Sequence, residues 1–366
     1  MEALRPSITA LRLSAPRRLP PLSQFQCLHT SSRRCAQSIT KSVPGPPPEA
    51  PTTASTDPME RVARKRKQAE LMKQAKEIRS SSSATNQRYS GLQKRFWSDV
   101  IVRETEGGLQ VFLDSRPVRT PEKEILTIPA SKHQLATAIA LEWDLLHSAQ
   151  QALKGHYIPM TSLAARASDL AAADARGDST VRNDIINMFM RYLETDTLLC
   201  WAPEKNMHDA PQDTASLRDI QMDITAPIVA YLTSQVWPGV EIKPILEPDS
   251  IMPVSQPEET KAVIRGWVFA LPAFELAGLE RAVLASKSLL VGARLVHEWG
   301  EHFAPARANT VVPQRFGIEE AAEAASTEVR WQTRQWGEVD DTHDVEKEDM
   351  RRQLGSVVLL IGGDAS

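Results

Sequence analysis

The stretch His297-Glu298-Trp299-Gly300-Glu301-His302 gathers two imidazoles and two carboxylates within six residues, the ingredients of a zinc hydrolase. In the helical form of that site the histidines stand four residues apart, so that both face the metal while a glutamate between them serves as general base. Here the separation is five, which turns them about 140° apart on a helix that advances 100° per residue. The reading is therefore of surface residues at a helix end.

Other chemistries fare no better. Neither GxxxxGK[ST] nor GxGxxG occurs, and Gly107-Gly108 belongs to a turn rather than to the start of a helix. There is no GxSxG elbow. Cys200 lies in the apolar run Leu198-Leu199-Cys200-Trp201, which suits a small buried hydrophobe better than an activated thiolate. The acids Asp340, Asp341, Asp344, Glu346, Glu348 and Asp349 lack the glycine-containing loop and closing glutamate of an EF-hand, and read as a helix N-terminus that offsets its dipole. No catalytic residue, cofactor or metal is assigned, and the chain is read as a non-enzyme.

One acid stands out by position. On a helix read from Ile318 to Trp336, a wheel puts Ile318, Ala322, Ala325, Val329 and Trp336 on one face and Glu319, Glu323, Arg330 and Arg334 on the other. Glu328 falls on neither. It borders the apolar stripe one turn before Trp331, where a carboxylate would be partly desolvated and aimed at a basic partner. A solvated edge residue is the competing reading. Glu328 and Trp331 are the candidate partner-binding residues.

The elements that must position these residues are legible in outline. Trp97, Val100 and Val102, then Leu109, Val111 and Leu113, alternate with polar residues on either side of Glu106-Gly107-Gly108, which predicts a hairpin. Turns at Asp114-Ser115-Arg116-Pro117 and Thr120-Pro121, and a short strand Ile125 to Ile128, complete a small antiparallel sheet. From Ser131, read as a helix cap, the pattern is helical: a first helix closed by Gly155, one opened by Ser179, and one from Leu217 to Val236 interrupted at Pro227. Helices over Pro257 to Phe269, Ala273 to Glu298 and Ile318 to Trp336 follow, with a last one ending near Gly355. The run Val357 to Ile361 fits strand or helix. Ala273 to Glu298 is rich in small residues but carries Glu275, Glu280, Arg281, Lys287 and Arg294, too many charges for a membrane span. The fold class is α+β: a β-rich domain over 95–130 followed by an all-α domain over 131–366.

The N-terminus has a separate character. Residues 1–40 hold six arginines and one acid among Ser, Leu, Ala and Pro, the chemistry of a mitochondrial presequence. Residues 41–94 read as a disordered or charged linker, with Glu60 to Arg79 as a solvated helix. The basic arm 61–79 has no aromatic residue interleaved for base stacking, but it keeps open the alternative of a matrix RNA- or ribosome-associated factor. Six basic and one acidic residue in 1–40, and twelve and five in 41–95, against −3 overall, leave −15 for residues 96–366. A body of that sign repels nucleic-acid phosphates and favours a basic protein surface.

Several short strings, in order and spacing, resemble the assembly chaperone family of the mitochondrial ATP synthase that binds the alpha subunit of the catalytic head. They are Gly107-Gly108 through Leu113-Asp114, Arg119-Thr120-Pro121, Ile128-Pro129, Ala138-Ile139-Ala140, Glu142-Trp143-Asp144, Pro159-Met160-Thr161, Asp196-Thr197 and Gln335-Trp336-Gly337. The resemblance implies a β-rich part before an all-α part, matrix residence, and a function of covering the free alpha subunit until beta joins. It implies a functional glutamate shortly before the Trp-Gly pair, which falls on Glu328. A monomer with no membrane span and no nucleic-acid partner is expected. Client contacts are not carried over where the chain departs from the family, in the long spacer before Phe96, after Trp201, and in the loop Ala304 to Phe316.

Overall fold

In the computed structural model the described residues are 65–67, 69–74, 94–203, 215–246, 252–308, 315–339 and 341–364. The presequence, most of the linker and part of the loop at 304–317 lie outside them. The chain divides into two units, Met1–Ser82 and Ser83–Ser366. In the first, residues 65–67 and 69–74 are helical and exposed.

The second unit begins with the hairpin. β1 (Val100–Thr105) pairs antiparallel with β2 (Gly108–Leu113) along its whole length, from Val100 opposite Leu113 to Thr105 opposite Gly108. The other edge of β2 is shared by β3 (Arg116–Pro117) near its end and β4 (Thr127–Ile128) near its start. Gly108 has φ +131°, and a side chain there would collide with the Ile128 carbonyl of β4; the turn therefore demands glycine. Alternation puts Leu109, Val111 and Leu113 on the buried face with Trp97, Leu126 and Ile128. That face packs on α1 (His133–Leu145) through Leu135, Ala136 and Ile139.

Helices α2 (Pro159–Ala175), α3 (Thr180–Leu193), α4 (Leu217–Tyr231) and α5 (Glu258–Ala270) surround a central pair, α6 (Ala273–Ser286) and α7 (Leu289–Trp299). The short α8 (Ala304–Arg307), then α9 (Ile318–Ala325), α10 (Thr327–Trp336) and α11 (His343–Ile361) complete the unit. Sheet and helices share one continuous apolar core from Trp97 to Ile361.

The structure corrects several expectations. Ser131 does not cap α1; its first amides, on His133 and Gln134, donate to the carboxylate of Asp364 from the far end of the chain. α1 also stops at Leu145, well before Gly155. The helix expected over Ala273 to Glu298 is two, because Lys287 adopts a left-handed conformation with φ 58° and Ser288 starts α7 by accepting from the Val291 amide at 3.0 Å. The helix expected over Ile318 to Trp336 is likewise broken at Ser326, whose hydroxyl and amide both turn back to the Ala322 carbonyl. α4 runs through Pro227 and ends in a π-helical turn, Leu232–Val236. The run Val357 to Ile361 is helical, and α11 passes straight through Gly355 to reach it.

Candidate partner-binding site

The break at Ser326 resets the phase of the wheel. Ala321, Ala322 and Ala324 of α9, and Thr327 and Trp331 of α10, are buried, whereas Val329 and Trp336 face outward. Glu328, in the first turn of α10, is exposed rather than partly desolvated. Its Oε1 accepts from Gln332 Nε2 at 3.0 Å, and among the described residues it has no ion-pair partner. Trp331 is only 7% exposed and meets Trp336 edge-on at 5.9 Å. Trp336 is 67% exposed. Sequence reasoning named the inner of two touching tryptophans and left out the outer, although Gly337 directly after it marks a helix end. With φ 85°, Gly337 closes α10 by donating to Thr333 O at 2.9 Å.

Glu328 and Val329 line a cavity of about 330 Å³. Leu198, Ile224 and Thr225 contribute one side, the Ser286-Lys287 turn another, and His343, Lys347 and Met350 of α11 a third. The turn is held by Asp196, a fully buried carboxylate that accepts from the amides of Leu289 (2.7 Å), Leu290 (3.1 Å) and Leu198 (3.0 Å). Burial pushes its carboxyl up to about 6 despite those donors and the Ser288 side chain. Thr197 adds bonds from its hydroxyl to Ser286 O and from its amide to Lys287 O. Asp196-Thr197 thus fastens one wall of the cavity. Nearby Cys200 is half-buried, and burial, with the charges of Asp196 and Glu328, pushes its thiol up. That is the opposite of an activated nucleophile.

A second string has an equally local purpose. Glu142 accepts from the amides of Met160 and Thr161 and from the Thr161 hydroxyl, capping the N-terminus of α2. Trp143 Nε1 donates to the same hydroxyl at 3.0 Å, and its carbonyl accepts from Trp97 Nε1 at 3.3 Å. Burial raises the Glu142 carboxyl above the ordinary range. These groups tie the sheet, α1 and α2 together.

The histidine pair is corrected too. His297 and Glu298 are not surface residues: both are buried on α7. His297 Nδ1 lies 3.0 Å from the Tyr231 hydroxyl. Burial, with the nearby Arg307 and Arg294, pushes the imidazole down to about 4. Glu298 pairs with Arg294 at 2.5 Å, and the Arg294 guanidinium lies 3.6 Å from the Tyr231 ring centroid. The apolar run Leu289 to Val296 was the signal that His297 would be carried inside. Among the described residues no three His, Cys, Asp or Glu side chains converge as metal ligands, and no helix is long and apolar enough to cross a membrane.

Residues 94–233, from just before the sheet to the end of α4, match the family described as ATP12 chaperone protein. Over those residues the chain is similar to the ATP12 chaperone family. This is the ATP synthase assembly chaperone family that the strings from Gly107 to Gly337 resemble. Protein atp12, mitochondrial, of Schizosaccharomyces pombe is 27% identical over 267 residues, covering 73% of this chain and 81% of that protein. Protein ATP12, mitochondrial, of Saccharomyces cerevisiae is 29% identical over 299 residues, covering 77% and 88%. Both are named mitochondrial proteins, which supports a mitochondrial location for this chain. The crystal structure of Atp12 from Paracoccus denitrificans superposes with a TM-score of 0.52 at 23% identity, over 73% of this chain and 96% of that one, so the fold is that of Atp12. The cavity beside Glu328 is lined from inside and outside the matched span: Leu198, Ile224 and Thr225 lie within it, and α9 to α11 follow it.

Proposed function

We propose that this protein is an ATP12-type assembly chaperone that acts in the mitochondrial matrix, binding the free alpha subunit of the ATP synthase catalytic head and covering its subunit interface until beta joins, without catalysis. One observation carries the reading. Glu328 is a carboxylate without an ion-pair partner among the described residues, set on a cavity rim with exposed Val329 beside it, on a body of charge −15. A basic side chain of the client meets Glu328 there, and an apolar client edge lies on Trp336, which Trp331 supports from beneath. Hand-over to beta requires an affinity that a competitor can overcome, and an exposed carboxylate at a rim supplies an attraction of that moderate size.

The test is a pull-down from matrix extract with the tagged full chain, wild type beside Glu328→Lys, probed for alpha and beta. Recovery of alpha alone, lost in the variant, is the expected result. Absence of alpha with wild type sinks the reading, and recovery of RNA through the arm 61–79 would replace it.

A further inference from the structure

α3 and α5 lie antiparallel with an open groove between them of about 880 Å³ that shares no lining residue with the cavity at Glu328. The register follows from three contacts. Lys261 pairs with Glu194 at 3.3 Å, Arg265 Nη1 donates to Asn187 Oδ1 at 3.4 Å, and Arg182 donates to the Phe269 carbonyl at 3.0 Å. The groove is thus polarised along its length. At one end Lys261 is neutralised by Glu194 and Glu258. In the middle stand Arg191 and Arg265, and at the far end Phe269 is 52% exposed. The floor is apolar, made by Ile186 and Met190.

Two features of this groove stand out against the body around it. Among the described residues, neither Arg191 nor Arg265 has a carboxylate partner, although the body around them is strongly acidic. Arg191 lies in the last turn of α3, where the helix dipole favours a cation, but Arg265 is two turns into α5, where it does not. The other feature is Gly266. It sits inside α5, exposed, with an ordinary helical backbone, and a Cβ added there would meet nothing within 4 Å. Alanine would make the more stable helix. A bare position beside an apolar floor is what the close approach of another backbone needs.

We propose that this groove is a docking site for an acidic amphipathic helix of a partner protein. The apolar face of that helix lies on Ile186, Met190 and Phe269, its backbone passes over Gly266, and its carboxylates reach Arg191 and Arg265. The span from Asn183 to Glu194 is roughly 16 Å at 1.5 Å per residue, room for about three helical turns. Charge decides the kind of partner: among the described residues that line the groove, a basic helix finds no free carboxylate, because Glu194 and Glu258 pair with Lys261.

The experiment uses the full chain and two fluorescent synthetic helices of about three turns, identical on their Leu/Ala face and carrying either Glu or Lys along its borders. Anisotropy titrations at low and high salt give the affinities. The Glu peptide binds, more weakly as salt rises, and the Lys peptide does not. The double variant Arg191→Glu/Arg265→Glu weakens binding roughly tenfold or more. Gly266→Leu weakens it comparably by filling the groove, while Gly266→Ala raises the melting temperature. Circular dichroism confirms that each variant is folded. Equal binding of both peptides, or Glu-peptide binding that neither variant changes, overturns the proposal. A shift of oligomeric state in the arginine variant would make the occupant a second copy of this chain and overturn it equally. Because this test uses no alpha subunit, its failure leaves the reading of Glu328 untouched.

Discussion

Lys132 and Asp364 cap each other's helices across nearly the whole length of the folded unit. Lys132, buried, donates its Nζ to the carbonyls of Ile361 at 2.9 Å and Gly362 at 3.0 Å, closing the C-terminus of α11. Asp364 returns the service to the first amides of α1, on His133 at 3.1 Å and Gln134 at 3.3 Å. Glu301 stands beside the ammonium at 3.2 Å and balances its charge. Both charges sit where the helix dipoles favour them. Removing the cap by Asp364→Ala should cost about 1 kcal/mol, the usual worth of an N-cap. Lys132→Met leaves two helix-terminal carbonyls and Glu301 without the ammonium, and should cost more, about 2–3 kcal/mol. Urea unfolding of the two variants checks the order, which reverses if the ammonium is merely a surface charge.

Asp196 and His297 should give stability two opposite dependences on pH. The Asp196 carboxyl is pushed up from 3.8 to about 6, so the folded chain holds that proton more tightly and its contribution falls as pH rises through 6. The His297 imidazole is pushed down from 6.5 to about 4, so the unfolded chain holds the proton more tightly and the contribution is intact above 6.5 and lost as pH falls towards 4. Each shift corresponds to something on the order of 3 kcal/mol at 1.36 kcal/mol per pH unit. Relative to wild type, Asp196→Asn should therefore gain stability as pH rises from 4 to 7, and His297→Gln should gain it as pH falls. Denaturant titrations across that range read the two slopes. Slopes of the same sign would mean that one of these groups is not buried in the folded chain.

How far the sequence spoke depends on the range of the interaction. The hairpin was legible because alternation and the Gly107-Gly108 turn are local, and Gly108 is the residue whose φ requires glycine. The Asp364 cap was not legible, since no local pattern ties a C-terminal aspartate to an amide at residue 133. The breaks at Lys287 and Ser326 were hidden for a different reason. Each break is short, Lys287-Ser288 in one case and Ser326 in the other, with no glycine or proline to mark it, so each stretch reads as one helix where two exist. That error exchanged the roles of the two tryptophans of α10: Trp331 lies within the core and Trp336 outside it.

Those two tryptophans are separable by mutation. Trp331→Ala removes a buried indole and should cost about 3–5 kcal/mol. Trp336→Ala and Glu328→Lys change exposed residues and should leave stability within about 0.5 kcal/mol of wild type. If the rim binds the client, both of these lose the alpha subunit in the pull-down while their thermal melts stay unchanged. A melt lowered by Glu328→Lys as much as by Trp331→Ala would assign the carboxylate to folding instead.

Gly278 offers a test of the packing that carries the cavity wall. α6 and α11 cross so closely there that a methyl group on Gly278 would run into the side chain of Ile361. Protein interiors are packed too densely to absorb even one extra methyl group without a shift. Gly278→Ala should therefore destabilise by about 1–3 kcal/mol, although alanine is the better helix former. The loss is steric, so shortening the opposing side chain should recover part of it. Ile361→Ala removes the Cγ2 that the new methyl group would strike, and alone it leaves a void that costs about 2–5 kcal/mol. In the double variant the void receives the methyl group, and the combined loss should be smaller than the sum of the two single losses. Strict additivity in that double-mutant cycle would show that the two helices separate enough to accept a side chain at residue 278. Ile361 is also the first carbonyl held by Lys132, so a crossing forced apart at Gly278 should loosen that cap, and Lys132→Met should then cost less in the Gly278→Ala background than alone.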